Sequence, residues 1–476
     1  MKKEVKYLKA SYIIVYDDNT HKILKDGYIA YEGDKIVDFG HVLPQGAIAE
    51  DLGNSIICPG FVDLHVHSYT PLEKSVTEDT GNPMMFQSCL LDLIMTFKYS
   101  PDIAEKLAKF TLAYLLVNGV TTFLEMGTEV SPFTTKCAGE MGMRAYVGAS
   151  YRSAVWDTTN GRTLDFPYDD KWGTKMMEKA IDELMPYHHS YNDRIRMILS
   201  PTETISCTSE MLRQTRKIAD ELKCGVTIHV AELVAEIHEC MRRYGRTPIQ
   251  QLEYNGMLAP DVILGHAIMP SGHSAAYYIG ANDLDLLAAS GASVAHCPWI
   301  FARRGIAMES FKKYKDMGIN MGIGTDTFPH DFTKELRCAA SVSKIIEHDN
   351  FATTAKDVFD AATIGGAAAF HRDDIGRLGK GCKADMVVFS IDNLEMSPIR
   401  DPIKNIVYSA TRNSINRVYV DGKLLVDKGE ILGLDVDKII SDIQIVSQEI
   451  WETTSERDWS GRSIEDFSPM PYPIYR

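Results

Sequence analysis

Eight short apolar runs divide the middle of the chain, and the stretches between them space their apolar residues as helices do. The runs are Phe61 to His67, Val120 to Met126, Arg144 to Ala149, Arg194 to Leu199, Gly225 to Ala231, Val262 to Ala267, Ala292 to His296 and Asn320 to Thr325. Strand and crossover helix in alternation mark a parallel sheet covered by helices. Eight such units predict an α/β fold, a TIM-like (β/α)8 barrel over residues 59–378. An open doubly wound sheet is the alternative, and it requires some of the runs to be something other than strands.

Strand-and-turn segments flank this middle: Ala10 to Tyr16 and Asp26 to Gly40 before it, Gly381 to Phe389 and Ile415 to Lys423 after it. Residues 1–58 and 379–430 are therefore expected to build one small β-sandwich domain from both chain ends. Beyond it, residues 431–476 read as a helix from Asp435 to Trp451 and an extended tail through Ser468 to Pro473, packed on the body or on a partner subunit. Two barrel connections are long, Ser68 to about Phe86 and Trp156 to Trp172. They are expected to wall or cover a pocket, with surface decoration as the alternative.

The 476 residues, 45% of them hydrophobic, suffice for a large core. A formal charge of −15 disfavours nucleic acid and anionic membrane surfaces as partners and favours a small molecule. Nine cysteines without a Cys-x-x-Cys pair suit free thiols in a reducing compartment. The charged start, Met-Lys-Lys-Glu, is not followed by an apolar signal region, and no apolar run is long enough to span a membrane. The expectation is a cytoplasmic protein with no membrane contact.

The first run carries His65 and His67, which alternation along a strand puts on one face. Alone, that pair reads equally well as two polar residues closing a strand. The remaining runs decide the matter: the fifth ends His229-Val-Ala-Glu232, the sixth Gly265-His266, the seventh His296-Cys297-Pro298 and the eighth Gly324-Thr325-Asp326. Five of fourteen histidines thus fall at predicted strand ends, which a barrel gathers at one mouth. His65, His67, His229 and Asp326 form a ligand set for one divalent ion with a position left for water. Hydroxide produced there near neutral pH can attack carbon. Asp326 would receive the water's proton, Glu232 would deliver it to a ring nitrogen or leaving group, and His266 would hydrogen-bond the hydroxide or the tetrahedral intermediate.

With Pro59-Gly-Phe-Val-Asp-Leu-His-Val-His67 at one end and Gly381-Cys-Lys-Ala-Asp-Met-Val-Val-Phe389 at the other, the chain resembles the amidohydrolase superfamily. The likeness is to its mononuclear subgroup of heterocycle deaminases and chlorohydrolases, the atrazine chlorohydrolase, guanine deaminase and S-adenosylhomocysteine deaminase types. The resemblance implies zinc, with iron(II) as the alternative, and a homo-oligomer, a dimer or higher. The fourth run ends without the lysine that carries a bridging carbamate in two-metal relatives, which implies a single ion. Two stretches depart from the subgroup: Pro201-Thr-Glu-Thr-Ile-Ser-Cys-Thr208 lacks a histidine that relatives use against substrate, and Trp299-Ile-Phe-Ala-Arg-Arg304 replaces their x-Ser-Asn.

The expected activity is hydrolytic release of ammonia from an amino-substituted heterocycle of purine, pyrimidine, pterin or triazine type. A C–Cl, C–N(alkyl) or cyclic amide bond at the same site is the alternative reaction, and an inactive metal-binding scaffold the alternative of another class. His296, Glu125, Trp299, Arg303 and Arg304 are the expected substrate contacts, each with an ordinary packing or ion-pair role as its alternative. Glu203, Trp156, Trp172, Phe301, His330 and Asp331 are secondary candidates, and His188 and His189 are expected on the surface away from any metal.

Overall fold

The computed structural model describes residues 4–90, 92–127 and 130–475. All eight runs are strands: Phe61–Val66, Val120–Glu125, Arg144–Tyr151, Ile195–Pro201, Val226–Val230, Val262–His266, Ser293–His296 and Asn320–Ile323. They pair in parallel in chain order and close into a barrel, the eighth returning to the first with Ile323 opposite Asp63. Closure removes both sheet edges, so the open-sheet alternative falls away. Val62, Leu64, Leu124, Tyr146, Ile198, Ile263 and Ala295 meet inside as one apolar cluster, and Phe370 stacks on Tyr146 at 3.7 Å between ring centroids. Helices between the strands bury the outer faces, as in the 17-residue helix Pro101–Val117 behind the first two strands.

The chain ends build a nine-stranded mixed sheet. Its strands are Val5–Asp17, Thr20–Glu32, Lys35–Gly40, Ala49–Asp51, Ser55–Pro59, Met386–Ser390, Ile415–Val420, Lys423–Asp427 and Glu430–Ile431. The expected sandwich is realised as one continuous sheet curled over itself. Tyr31 and Tyr419 lie on strands separated by three others in the sheet, yet their ring centroids are 6.2 Å apart. Leu8, Ile13, Ile29, Ile36, Ile57, Met386 and Val388 fill the space enclosed. All nine cysteines are free. Among the described residues, no helix is long and apolar enough to cross a membrane.

Helix Val436–Glu452 begins at Asp435, whose carboxylate accepts from the Lys438 N–H, and it packs on the body of this same chain. Ile443, Val446 and Ile450 join Leu72, Val76, Leu93 and Phe97 of the long connection after the first barrel strand. The Trp451 indole donates to the Leu72 carbonyl at 2.9 Å, and Arg462 forks onto Asp92 at 2.7 and 3.1 Å. That connection runs to Ser100, further than the sequence pattern indicates, because its three turns Thr70–Glu73, Pro83–Met85 and Ile94–Thr96 are 3-10 rather than α. The connection after the third strand leans on it, through Asn82 donating to the Gly161 carbonyl at 3.0 Å and through a cluster of Met85, Trp156 and Leu233.

Sheet and barrel are joined by a buried charge network. Arg144, 1% exposed on the third barrel strand, donates to Asp385 at 3.3 Å and Asp421 at 2.6 Å on the curled sheet. Removing one member of such a network strands the others without a counter-charge. Arg144→Met is expected to destabilise the protein by about 3 kcal/mol, read as a lower denaturant midpoint, whereas Arg144→Lys should recover part of the loss.

Candidate active site

His65 closes the first strand with its ring fully buried, and the space for that ring is made by glycine. A Cβ at Gly265 would lie 2.7 Å from His65 Cε1, and one at Gly324 would lie 2.6 Å from His65 Cβ. The sixth and eighth strands therefore require glycine immediately before His266 and before Thr325-Asp326. His266 and Asp326 themselves adopt left-handed backbone, φ 77° and 58°, a conformation that costs an L-residue free energy and clusters at functional sites. Backbone hydrogen bonds hold Asp326 there: its N–H donates to the His65 carbonyl at 2.7 Å, and its own carbonyl accepts from His67 N–H at 2.9 Å.

The side chains that result face one another. Asp326 Oδ1 is 3.5 Å from both His65 Nε2 and His67 Nε2, and His67 Nε2 is 3.1 Å from His229 Nε2. His229 Nδ1 donates to the Thr202 carbonyl at 2.7 Å, which fixes the tautomer and leaves Nε2 with its lone pair toward the centre. His266 Nε2 stands 3.8 Å from Glu232 Oε2 and 3.9 Å from Asp326 Oδ2. Two overlapping donor triads emerge, His65, His229 and His266, and His65, His67 and Asp326, each with its donor atoms within 4.8 Å of one another. Both ring nitrogens of His65 and of His266, and Nδ1 of His67, are buried without a hydrogen-bond partner.

Burial dominates the electrostatics. It pulls His65 down to about 3 and His229 down to about 4, and it pulls His67 and His266 well below the usual histidine value. Neutral imidazoles packed around a carboxylate are what a divalent cation requires of its ligands. The unpartnered nitrogens, the donor spacing and the fixed His229 tautomer fit such an ion, with His65, His67, His229 and Asp326 as the residues that would hold it. Burial also raises Glu232 well above an ordinary carboxyl, reinforced by Asp326, Glu236 and Glu203, which favours the form that can donate a proton.

Further residues position these groups, and of them the sequence pattern singles out only His330, as a secondary candidate. Glu236, in the first turn of helix Val234–Tyr244, accepts from the Glu232 N–H at 2.9 Å and from the Thr204 hydroxyl. Asp63, buried beneath the mouth, accepts from His65 N–H, Thr325 N–H and the Thr325 hydroxyl. Since that hydroxyl gives its proton to Asp63, it accepts from His330 Nδ1 at 2.8 Å. His330 Nε2 reaches Thr70 Oγ1 at 3.1 Å, and Thr70 donates to the His67 carbonyl. The only sequence signal for these roles is adjacency to a motif: Asp63 and Thr325 lie inside the quoted stretches, and His330 follows closely.

The other candidates divide. Glu125 is fully buried, lifted to about 8 by burial, and faces the Ser68 N–H at 3.1 Å, an anchor for the connection after His67. His296 is buried with Nδ1 unpartnered. The Trp299 N–H donates to Glu335 at 3.0 Å while its indole N–H lacks a partner, and the Phe301 ring lies edge-on to His266 at 4.8 Å. Arg303 pairs with Glu78 at 2.7 Å. Glu203, lifted to about 8 by burial, bridges to the backbone of His229. Trp156 is packed between the two long connections, whereas Trp172 is 38% exposed. Asp331 caps helix Phe332–Glu347, and His189 lies exposed with His188 half-buried beside it.

The family model described as "Amidohydrolase family" matches residues 56–425. A 5-methylthioadenosine/S-adenosylhomocysteine deaminase of Thermococcus kodakarensis is 28% identical over 417 residues, 87% of this chain and 92% of that protein. Among solved structures, a zinc-bound adenosine deaminase from Xanthomonas campestris superposes with a TM-score of 0.79 at 22% identity, covering 93% of this chain and 98% of that one. An atrazine chlorohydrolase from Arthrobacter aurescens, complexed with zinc, gives 0.80 at 20% identity over 93% and 99%. At these identities the two structures speak for the fold.

Because the glycine before His266 makes room for His65, Gly265→Ala is expected to displace that ring and lower bound metal at least tenfold relative to the parent protein. Elemental analysis of protein purified without chelator measures this, and unchanged metal content would refute the wedge.

Proposed function

Since the chain belongs to the amidohydrolase family, hydrolases of C–N bonds, we propose that it releases ammonia from an amino-substituted nitrogen heterocycle, with one zinc ion held by His65, His67, His229 and Asp326. The observation that carries this reading is the placement of a buried acid, Glu232, 3.8 Å from His266 and beside the cluster of imidazoles and Asp326 at one mouth. The deaminase relative and the zinc named for both structural neighbours support it.

A zinc ion supplies hydroxide near neutral pH by lowering the pKa of bound water. The chain's own residues do the rest. Glu232, raised well above the carboxylate range, gives its proton to the ring nitrogen next to the amino-bearing carbon, and that nitrogen's lone pair takes it as hydroxide adds to carbon. Asp326 accepts one proton of the attacking water and passes it to the departing amino group; as the carbon–nitrogen bond breaks and ammonia leaves, the added hydroxyl becomes the carbonyl and returns its proton to Glu232. His266, within reach of both carboxylates, hydrogen-bonds the oxygen that has added to carbon. Glu236 holds the backbone of Glu232 and so fixes the donor's position. Phe301, edge-on to His266 at 4.8 Å, would offer an aromatic face to a flat ring, with Trp299 and His296 as further contacts in this reading.

Wild-type protein assayed against adenine nucleosides, guanine, pterins and aminotriazines is expected to release ammonia from at least one class. Glu232→Gln should lower kcat at least a thousandfold with metal content unchanged. Chelation should abolish turnover and zinc should restore it; release of chloride or alkylamine in place of ammonia would redirect the reading to the alternative leaving groups.

A further inference from the structure

We propose that the groove between the C-terminal helix and the barrel is a second ligand site, separate from the reacting centre. Its ligand is a small amphipathic carboxylate, an apolar chain lying along the helix with its anionic end at Lys74 and Arg412. None of the residues lining the groove belongs to the histidine and aspartate cluster, so the site stands or falls apart from the reaction proposed above.

The groove is built mostly of apolar side chains. Helix Val436–Glu452 contributes Ile439, Ile440 and Ile443, and helix Pro101–Val117 contributes Phe110 and Tyr114. Phe328, from the connection after the eighth strand, packs its ring on those of Phe110 and Tyr114 at 5.8 and 5.2 Å between centroids. The space they share measures about 930 Å³, within the range of small-molecule pockets. Ile440 is 54% exposed on this lining, so apolar surface faces water there and gains from being covered.

The charges around that surface do not balance. Glu78 is the one carboxylate on the lining, and Arg303 holds it at 2.7 Å; Lys334 is held by Asp331 at 3.1 Å. Lys74 and Arg412 line the same groove, and among the described residues neither pairs with a carboxylate. Lys74 Nζ lies 5.2 Å from the centroid of the Phe328 ring. Arg412 is near enough to the Tyr114 hydroxyl to oppose the rise that burial imposes on it. Because the Phe328 and Tyr114 rings are in contact, the two cations flank one aromatic surface. A neutral apolar ligand would cover the isoleucines and leave both cations unmatched, and an apolar cation would be repelled by them. A carboxylate on an apolar body answers both features, since its oxygens accept charge-assisted hydrogen bonds while its chain removes the isoleucine faces from water.

The test is calorimetric titration of the full-length, metal-loaded protein with decanoate below its micellar range. One decanoate per chain is expected, bound about a hundredfold tighter than butyrate, which keeps the head and loses most of the chain. Decanoate should also bind about fivefold tighter than 1-decanol, which keeps the chain and loses the charge, and decyltrimethylammonium should bind more weakly than either. Lys74→Ala combined with Arg412→Ala should bring decanoate level with 1-decanol. Ile440→Glu, which puts a like charge on the lining, should weaken decanoate at least about tenfold. Ile445→Glu, on the same helix, 55% exposed and not on the lining, should leave its affinity unchanged. No binding, decanoate no tighter than 1-decanol, or equal effects of the two glutamate substitutions overturns the site. Sedimentation velocity covers the remaining occupant: a dimer that Ile440→Glu dissociates and Ile445→Glu does not would assign the groove to a second copy of the chain and likewise overturn it.

Discussion

Bringing imidazole nitrogens and carboxylate oxygens within 3.1 to 3.9 Å of one another, in a space closed to solvent, is the constraint the rest of the molecule serves. None of these atoms gains from the others' company in an apolar interior, because lone pairs meet lone pairs and hydrogen bonds go unmade. Only a rigid frame keeps them there. The closed barrel supplies it: each ligand sits at the end of a strand whose neighbours on both sides are fixed by parallel hydrogen bonds, and the left-handed backbone at His266 and Asp326 cannot relax without breaking those ladders. A cation is the natural complement to such a cluster, and its binding free energy offsets what the fold spends in assembling it.

The parts of this arrangement visible in the sequence are those governed by local period. Apolar runs of strand length alternate with helical spacing, so all eight strands and their order can be read, and the clustered side chains are visible as polar residues at or near the ends of those runs. The Asp435 cap and the apolar spacing after it likewise foretell the C-terminal helix to within a residue. What local period does not encode is partnership across the chain. Glu78 sits in a connection with no period of its own and acquires a partner only once Arg303, 225 positions away, packs against it. Glu236 looks like any acid in a helix's first turn until it is seen holding Glu232. The curl of the terminal sheet is equally silent, because each strand in it reads the same whether its sheet lies flat or folds over.

The C-terminal helix shows how such long-range partnership reaches the chemistry. Its apolar face covers the connection after the first strand, and Trp451 and Arg462 fasten that connection at Leu72 and Asp92. Glu73 adjoins Leu72, and Thr70, at the start of the same turn, belongs to the chain of hydrogen bonds running from Asp63 through Thr325 and His330 to the His67 carbonyl. One short turn is thus held from above by the C-terminal helix and from below by the network under His65 and His67. The histidine cluster and this connection cannot drift independently.

That coupling explains why two departures from the subgroup's pattern belong together. His229 is oriented by the backbone carbonyl of Thr202, a group any residue at that position supplies, so the side chain there is free of the positioning role. The stretch after the seventh strand, Trp299 to Arg304, replaces a short polar turn with an aromatic helix and two arginines. The polar groups of that stretch join it to the connection after the first strand, Arg303 pairing with Glu78 at 2.7 Å. A binding site can be moved around a barrel's rim in this way because the strand ends fix only the reacting centre, while the connections, each stiffened by whatever packs on it, determine which side of the substrate is read.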